Sequence, residues 1–478
     1  MAQTSLTPRI QRLALFNCCL GQFMSAVDSR SVIVALPTIS IQFALSLDVV
    51  QWIPLAYQLT IVGLVLSMAR LGDMLGRKRV YTVGFLLLAT GSTACGLSGY
   101  FWLLIFFRIV EATGGAMILA NGRSIASTLY AREGRGRALG LMSMAFHVGY
   151  IAGPSVGGFL VDNIGWRWAF FMIAPIALLA GYMSWKILPD SARDEGEVTI
   201  DPLGMSALLL AAISVILGLQ QIAKSGFSWL PIGLFLLSGV CFYLLLRFEA
   251  KASVPLLELS LFKIRMLTAS VLSNFFITIT HASTFFLLPF YLQGILHVSP
   301  TRVGLTMIFF SLVIVCLAPI GGWLGDKFGS RLLCTIGSVL TALSMMSFAR
   351  LDGHSTQISV TLPLMVLGLG WSFFQSPNLS GMFNAVDPRH VGSVSGLSLT
   401  SANVGNAVGV AVGSLLFLRW LNFYGLHGAV VPPYTEWSAS PEVFIKSFQS
   451  AWFVIAALGS VAIVTSAMRG AERKKSLE

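Results

Sequence analysis

The constraint that dominates this chain is a succession of long apolar stretches, none followed by a polar interval large enough to fold by itself. Crossing a bilayer takes about 20 apolar residues as a helix. Stretches of that kind fall at roughly 13–36, 49–69, 80–98, 101–124, 138–160, 168–188 and 203–221, then at 230–248, 268–292, 303–324, 332–350, 357–380, 394–418 and 448–468. The longest polar intervals, 188–201 and 422–446, are too short to be catalytic domains. With 55% hydrophobic and only 11% charged residues, against about 25% charged in a typical soluble chain, the composition belongs in lipid. The expected fold class is an all-α integral membrane protein of 14 spans.

Charge sets the expected orientation. An even number of spans puts both termini on one side. The connections on that side carry 22 Lys and Arg, from Arg9 to Lys475, against six on the other, namely Arg167, Lys224, Arg302, Arg350, Arg419 and Lys446. Positive residues stay inside, so both termini are expected in the cytoplasm, with the protein in the cytoplasmic (inner) membrane. The same distribution accounts for the net charge of +11 without a nucleic-acid partner. Arg9 and Arg12 ahead of an apolar run imitate a signal peptide, but the run continues to Pro37 and reads as the first span. The six cysteines lie inside apolar stretches with no C-x-x-C spacing, which predicts neither a disulfide framework nor a metal site.

An internal repeat organises the spans. Residues 69–78 read Ala-Arg-Leu-Gly-Asp-Met-Leu-Gly-Arg-Lys and residues 322–331 read Gly-Trp-Leu-Gly-Asp-Lys-Phe-Gly-Ser-Arg, aligned without a gap. Both would join helices two and three of a six-helix unit. The predicted domains are a six-helix bundle over 1–188, two linker helices over 189–250 and a second six-helix bundle over 251–478. Gly76 and Gly329 permit a tight turn, Asp73 and Asp326 are expected to cap the next helix and hold an Arg across the bundle seam, and Arg77 and Arg331 complete the two copies. In the fifth span, Gly149, Gly153, Ser155, Gly157 and Gly158 line one stripe and Pro154 permits a bend. Small residues at that spacing admit a second helix backbone. A packing groove and a pivot both satisfy the pattern.

Ionisable residues inside spans are expensive in lipid and mark function or pairing. They are Asp28, Arg30, Arg108, Glu111, His147 and His281. Asp28 and Arg108 fall at comparable depth, and Arg108 and Glu111 at i, i+3 share a face. Desolvation favours the neutral form of a carboxylate and a nearby arginine favours the charged form, so Asp28 and Glu111 are candidate proton carriers with Arg108 as their modulator. Permanent neutralised pairs holding helices together are the alternative. A lone membrane histidine is more often a packing residue, and His147 is the better functional candidate of the two.

The doubled Gly-Asp segment, Gly149–Gly158 as G-x-x-x-G-P-x-x-G-G, and Arg108 in Arg-Ile-Val-Glu-Ala-Thr-Gly-Gly-Ala resemble the major facilitator superfamily, and specifically its fourteen-helix drug:proton antiporter branch. Gly165-Trp166-Arg167-Trp168, Asp201-Pro202-Leu203-Gly204 and Pro255-Leu256-Leu257-Glu258-Leu259 are similar to stretches of that branch. The resemblance implies two six-helix bundles plus two additional transmembrane helices, alternating access driven by protons, and a coupling carboxylate at Asp28. It also implies a conformational role for the two Gly-Asp segments and for the glycine-proline stripe. The chain departs from the branch in Val27-Asp28-Ser29-Arg30-Ser31, where Arg30 stands in place of Thr, and at Glu111, which replaces Gln. A fixed charge at Arg30 would favour an acidic or zwitterionic solute. Candidate cargo-binding residues are Arg30, Tyr57, Gln58, His147, Phe276, Gln375 and Asn378.

No G-x-S-x-G, Walker, H-E-x-x-H or dinucleotide motif is present, so the expectation is not an enzyme. The expected function is a proton-coupled secondary transporter exporting amphipathic organic compounds or drugs. An exporter of an acidic metabolite or siderophore held by Arg30 and Arg108 is the alternative. A lipid-handling protein or receptor on a transporter fold is the reading from another class. The expected partners are a small-molecule substrate, the proton as coupling ion and membrane lipid, with no further cofactor and a monomer as the working unit.

Overall fold

The computed structural model describes residues 7–130, 132–189, 202–226, 228–249, 259–387, 391–425 and 440–470. Among these, every regular element is helical. The helices are α1 (Pro8–Phe43), α2 (Leu47–Val50), α3 (Trp52–Leu75), α4 (Arg77–Leu97), α5 (Phe101–Leu129), α6 (Arg132–Asn163), α7 (Trp168–Phe171), α8 (Ile173–Ile187), α9 (Pro202–Ser225) and α10 (Trp229–Glu249). A 3-10 turn at Leu259–Lys263 leads into α11 (Arg265–Gly294), α12 (Pro300–Phe328), α13 (Ser330–Phe348), α14 (Gln357–Asn384), α15 (Val391–Phe423) and α16 (Pro441–Ala467). Fourteen segments are long and apolar enough to cross a membrane, with α7 and α8 together forming the sixth. The helices overrun their apolar windows because an unpaired backbone group is costly beside lipid, and extending the helix satisfies it internally.

Two compact units result. The first comprises residues 1–38 and 52–205, the second residues 39–51 and 206–478. The residue ranges of α9 and α10 therefore fall almost entirely in the second unit, and so does the C-terminal end of α1, from Ile39 onward. Within the second unit, Ser238 of α10 donates to the Ala211 carbonyl of α9 at 3.0 Å.

In the first unit α6 lies against α1 along the glycine stripe. A Cβ on Gly149 would collide with the Phe23 carbonyl, one on Gly153 would meet Arg30 Cβ at 2.8 Å, and one on Gly157 would meet Ser31 Cα at 2.7 Å. The second unit repeats the device. Gly405, Gly409 and Gly413 of α15 face Phe275, Ile279 and Ser283 of α11, and those partners sit 252 residues beyond Phe23, Val27 and Ser31 (23 to 275, 27 to 279, 31 to 283). Both stripes are packing seams in which a missing side chain lets two backbones touch.

The Gly-Asp segments are helical almost to their ends. The turn is confined to a single glycine in each copy, Gly76 at φ 97° and Gly329 at φ 90°, where any Cβ would be strained. The capping expected of Asp73 is not made, since the N-cap of α4 is Gly76 without a side-chain acceptor. Asp73 instead accepts from Arg77 Nε at 2.8 Å, one turn away and partly exposed, which contributes little to stability. The side chain of Asp326, residue Asp201 and residues 255–258 lie outside the described set.

Candidate functional site

The charged centre of the first unit is built from five helices. Arg108 of α5 donates through Nη1 to Asp28 Oδ1 of α1 at 3.0 Å and to Glu111 Oε2 at 2.8 Å. Exposure of the three side chains is 1%, 0% and 0%. Tyr57 of α3 lies under the guanidinium with its ring centroid 4.4 Å from Arg108 Cζ, and Phe170 of α7 lies at 5.5 Å. Aromatic faces attract a desolvated cation, so the arginine is held by two carboxylates and two rings. Cys95 of α4 points its thiol at Glu111 Oε2 at 3.5 Å.

Glycines determine how near these helices come. A Cβ on Gly91 of α4 would lie 2.6 Å from the Glu111 backbone nitrogen, and one on Gly114 of α5 would lie 2.5 Å from both the Gly84 carbonyl oxygen and the Leu88 nitrogen. Gly84 and Gly91 are two turns apart on one face of α4. The α4–α5 seam thus presses the Glu111 backbone against α4 and leaves its side chain to turn towards Arg108.

Four polar atoms of this centre are buried without a hydrogen-bond partner: Asp28 Oδ2, Glu111 Oε1, Arg108 Nε and Tyr57 Oη. Buried polar groups are normally satisfied. Four in one cluster mark a place where protons, water or the polar part of a cargo can be taken up.

The remaining candidates separate. Arg30 does not join the cluster; its guanidinium stacks 3.8 Å from the centroid of Tyr150 on α6. Gln58 is half-buried on α3. His147 turns back on its own helix, with Nδ1 2.7 Å from the Ser143 carbonyl. In the second unit, Phe276 packs beside Trp371 and the core residues Ile277, Cys334 and Phe374, while the amide oxygen of the half-buried Gln375 has no partner. Asn378 is buried and its Oδ1 accepts from Arg469, so the structure employs it inside the bundle. His281 also packs, with Nδ1 2.7 Å from the Ile277 carbonyl and its ring 4.5 Å from that of Trp371.

Several residues that matter to this arrangement are not legible from motifs. Asn121 of α5 donates to the Met68 and Met117 carbonyls, both at 2.9 Å, and its Oδ1 fills the space that a Cβ on Gly72 would need. It ties the Gly-Asp segment to the helix bearing Arg108. A lone amide in an apolar span was the available signal. Arg469, grouped by sequence with the cytoplasmic loops, is 1% exposed and donates to Cys334 Sγ at 2.9 Å. Cys316, although it lies in an apolar stretch, is exposed.

The comparisons with known proteins agree with this architecture. The model of the Major Facilitator Superfamily matches residues 18–410 and again 270–475. The chain is 31% identical to the riboflavin transporter RibZ of Clostridioides difficile, over 86% of this chain and 89% of that one. It is 28% identical to the multidrug export protein EmrB of Haemophilus influenzae, over 85% and 80%, and 26% identical to the multidrug transporter protein MdtP of Bacillus subtilis, over 84% and 74%. Such relatives are consistent with the drug-exporting fourteen-helix branch. Among solved structures, a bacterial homolog of the human lysosomal transporter Spinster superposes with a TM-score of 0.72 at 17% identity, covering 97% of this chain and 98% of that one. That likeness concerns the fold. A superfamily match running through both helical units, together with transporters aligned over more than four-fifths of its length, identifies the chain as a multi-pass membrane transporter that belongs to the Major Facilitator Superfamily.

Proposed function

We propose that the protein is a proton-coupled exporter of amphipathic organic compounds in the cytoplasmic membrane, with both termini in the cytoplasm, working as a monomer by alternating access. The buried cluster of Asp28, Arg108 and Glu111 carries the reading. Its carboxylates hold either Arg108 or a proton, and a cargo that draws on the same groups weakens proton binding as much as protons weaken its own, because coupling is reciprocal. Protons entering down their gradient then expel cargo, each charge moved contributing about 2.3 kcal/mol per 100 mV. The similarity to two multidrug transporters supports amphipathic organic compounds as cargo.

A specific observation favours a second cargo, riboflavin, since the relative with 31% identity is a riboflavin transporter. Its flat, uncharged ring system makes no demand on Arg30, which is stacked on Tyr150. Efflux from everted vesicles, with a pH indicator as readout, tests both. Lipophilic cations, riboflavin and organic acids are supplied in turn, and the expected result is proton movement on adding cations or riboflavin and none with organic acids. Asp28→Asn is expected to abolish it in folded protein; undiminished activity of that variant would remove the coupling role. Arg30→Thr is expected to widen the range of cations exported, and an unaltered profile would show that Arg30 serves only the α1–α6 seam.

A further inference from the structure

Two carboxylates share one guanidinium in the first unit, and the count of charges has a consequence for the exchange ratio. The ion pairs of Asp28 and Glu111 are both made with Arg108, and both use the same nitrogen, Nη1. The other groups facing them are uncharged: Tyr57 from α3, the Cys95 thiol from α4 and the Phe170 ring from α7. Ser92 of α4 also faces Glu111, and its hydroxyl donates to the Phe170 carbonyl at 2.7 Å. One arginine balances one carboxylate. Ionised, the second would be a fully buried anion without a counterion of its own, an expensive state in a low-dielectric interior. Each carboxylate also keeps one buried oxygen with no hydrogen-bond partner, Asp28 Oδ2 and Glu111 Oε1, which is where a proton can be received.

Resting on the coupling role proposed above for this cluster, we propose that Glu111 is a second proton carrier and that the transporter exchanges two protons for each cargo molecule. On the outward side both carboxyls take up a proton as cargo leaves. Facing the cytoplasm, one gives up its proton as Arg108 pairs with it, and cargo entering the cluster releases the proton of the other. Two protons enter for each cargo expelled. For a monovalent cation, one proton per cargo would move no net charge, whereas two move one charge inward.

That difference is measurable. Purified protein is reconstituted in proteoliposomes and given ethidium as cargo, with either a pH gradient alone or a potassium diffusion potential alone. The wild type is expected to respond to both, the potential supporting about 50-fold accumulation per 100 mV, which is one charge per cycle. Glu111→Gln is expected to exchange more slowly, to follow the pH gradient and to ignore the potential, while Glu111→Asp restores the response. A wild type that follows the pH gradient but ignores the potential, or a Glu111→Gln variant that still responds to the potential, overturns the proposal. Ethidium moved by neither gradient would instead strike the coupling reading itself. Infrared spectroscopy of protein labelled with carbon-13 at its glutamate carboxyls separates the cases without cargo. A protonated-acid band that titrates across the working pH range and disappears in Glu111→Gln is expected, and a Glu111 that remains a carboxylate throughout overturns the second-carrier role.

Discussion

Replacing Arg108 by Met is expected to abolish proton-coupled efflux and to destabilise the protein by about 3–5 kcal/mol, the cost of breaking a buried ion pair by removing one partner. Asp28 and Glu111 are both buried, and Arg108 is the ion-pair partner of each. Without it, two carboxylates face each other in the bundle and at least one must stay neutral, so the cluster no longer alternates between proton and arginine. Stability and function can be separated. The triple variant Asp28→Asn, Arg108→Met, Glu111→Gln removes the whole charge set and is expected to recover most of the lost stability, because replacing a complete buried ion set by neutral groups is often neutral or favourable, while remaining inactive. Thermal unfolding of purified protein, read beside vesicle efflux, checks both halves. A triple variant as unstable as Arg108→Met would show that the loss arises from shape and not from charge. Arg108→Lys keeps a cation but loses the planar guanidinium that lies over the Tyr57 ring, and partial stability with little transport is expected.

Introducing Val at Gly114 is expected to be comparably damaging although no charge changes. A Cβ there would lie 2.5 Å from the Gly84 carbonyl oxygen and the Leu88 nitrogen of α4. Both are backbone atoms in the middle of a helix and cannot step aside as a flexible side chain would. Overpacking of this kind costs about 1–3 kcal/mol, and here it also separates α4 from α5 and withdraws Glu111 from Cys95. Reduced folded yield and lost efflux are the expected outcomes. Gly239→Val on α10, where a Cβ meets nothing within 4 Å, serves as control and is expected to leave both unchanged. Equal damage at the two sites would mean that propensity, and not the α4–α5 seam, explains the loss.

Much of the fold was written in the order of residues, and the reasons are particular. A bilayer leaves an apolar stretch of about 20 residues few options other than a helix, so the 14 spans could be counted before any coordinates. The glycine stripe of α6 was legible because small residues every fourth position announce a close helix contact. Its counterpart at Gly405, Gly409 and Gly413 became evident only once α15 was seen against α11, since no proline or charged neighbour marks it. Asp28, Arg108 and Glu111 stood out as costly residues in lipid, and the comparable depth of Asp28 and Arg108, with Glu111 one turn from the arginine, anticipated their meeting. Arg30 and His147 drew notice for the same reason, yet the first stacks on Tyr150 and the second bonds its own helix. Hydropathy records that a polar group lies in a span without recording which neighbour satisfies it.

By itself the chain's order of residues determined that this protein crosses a membrane many times, that its halves repeat, and that a few charges are buried within it, because each of these depends on local composition and spacing. Tertiary structure decided that Arg108 serves two acids at once, that Asn121 occupies the space beside Gly72, and that Asp73 binds Arg77 instead of capping α4. Those outcomes depend on the distance and rotation between helices far apart in sequence, set by the glycine seams, and no one-dimensional spacing contains them.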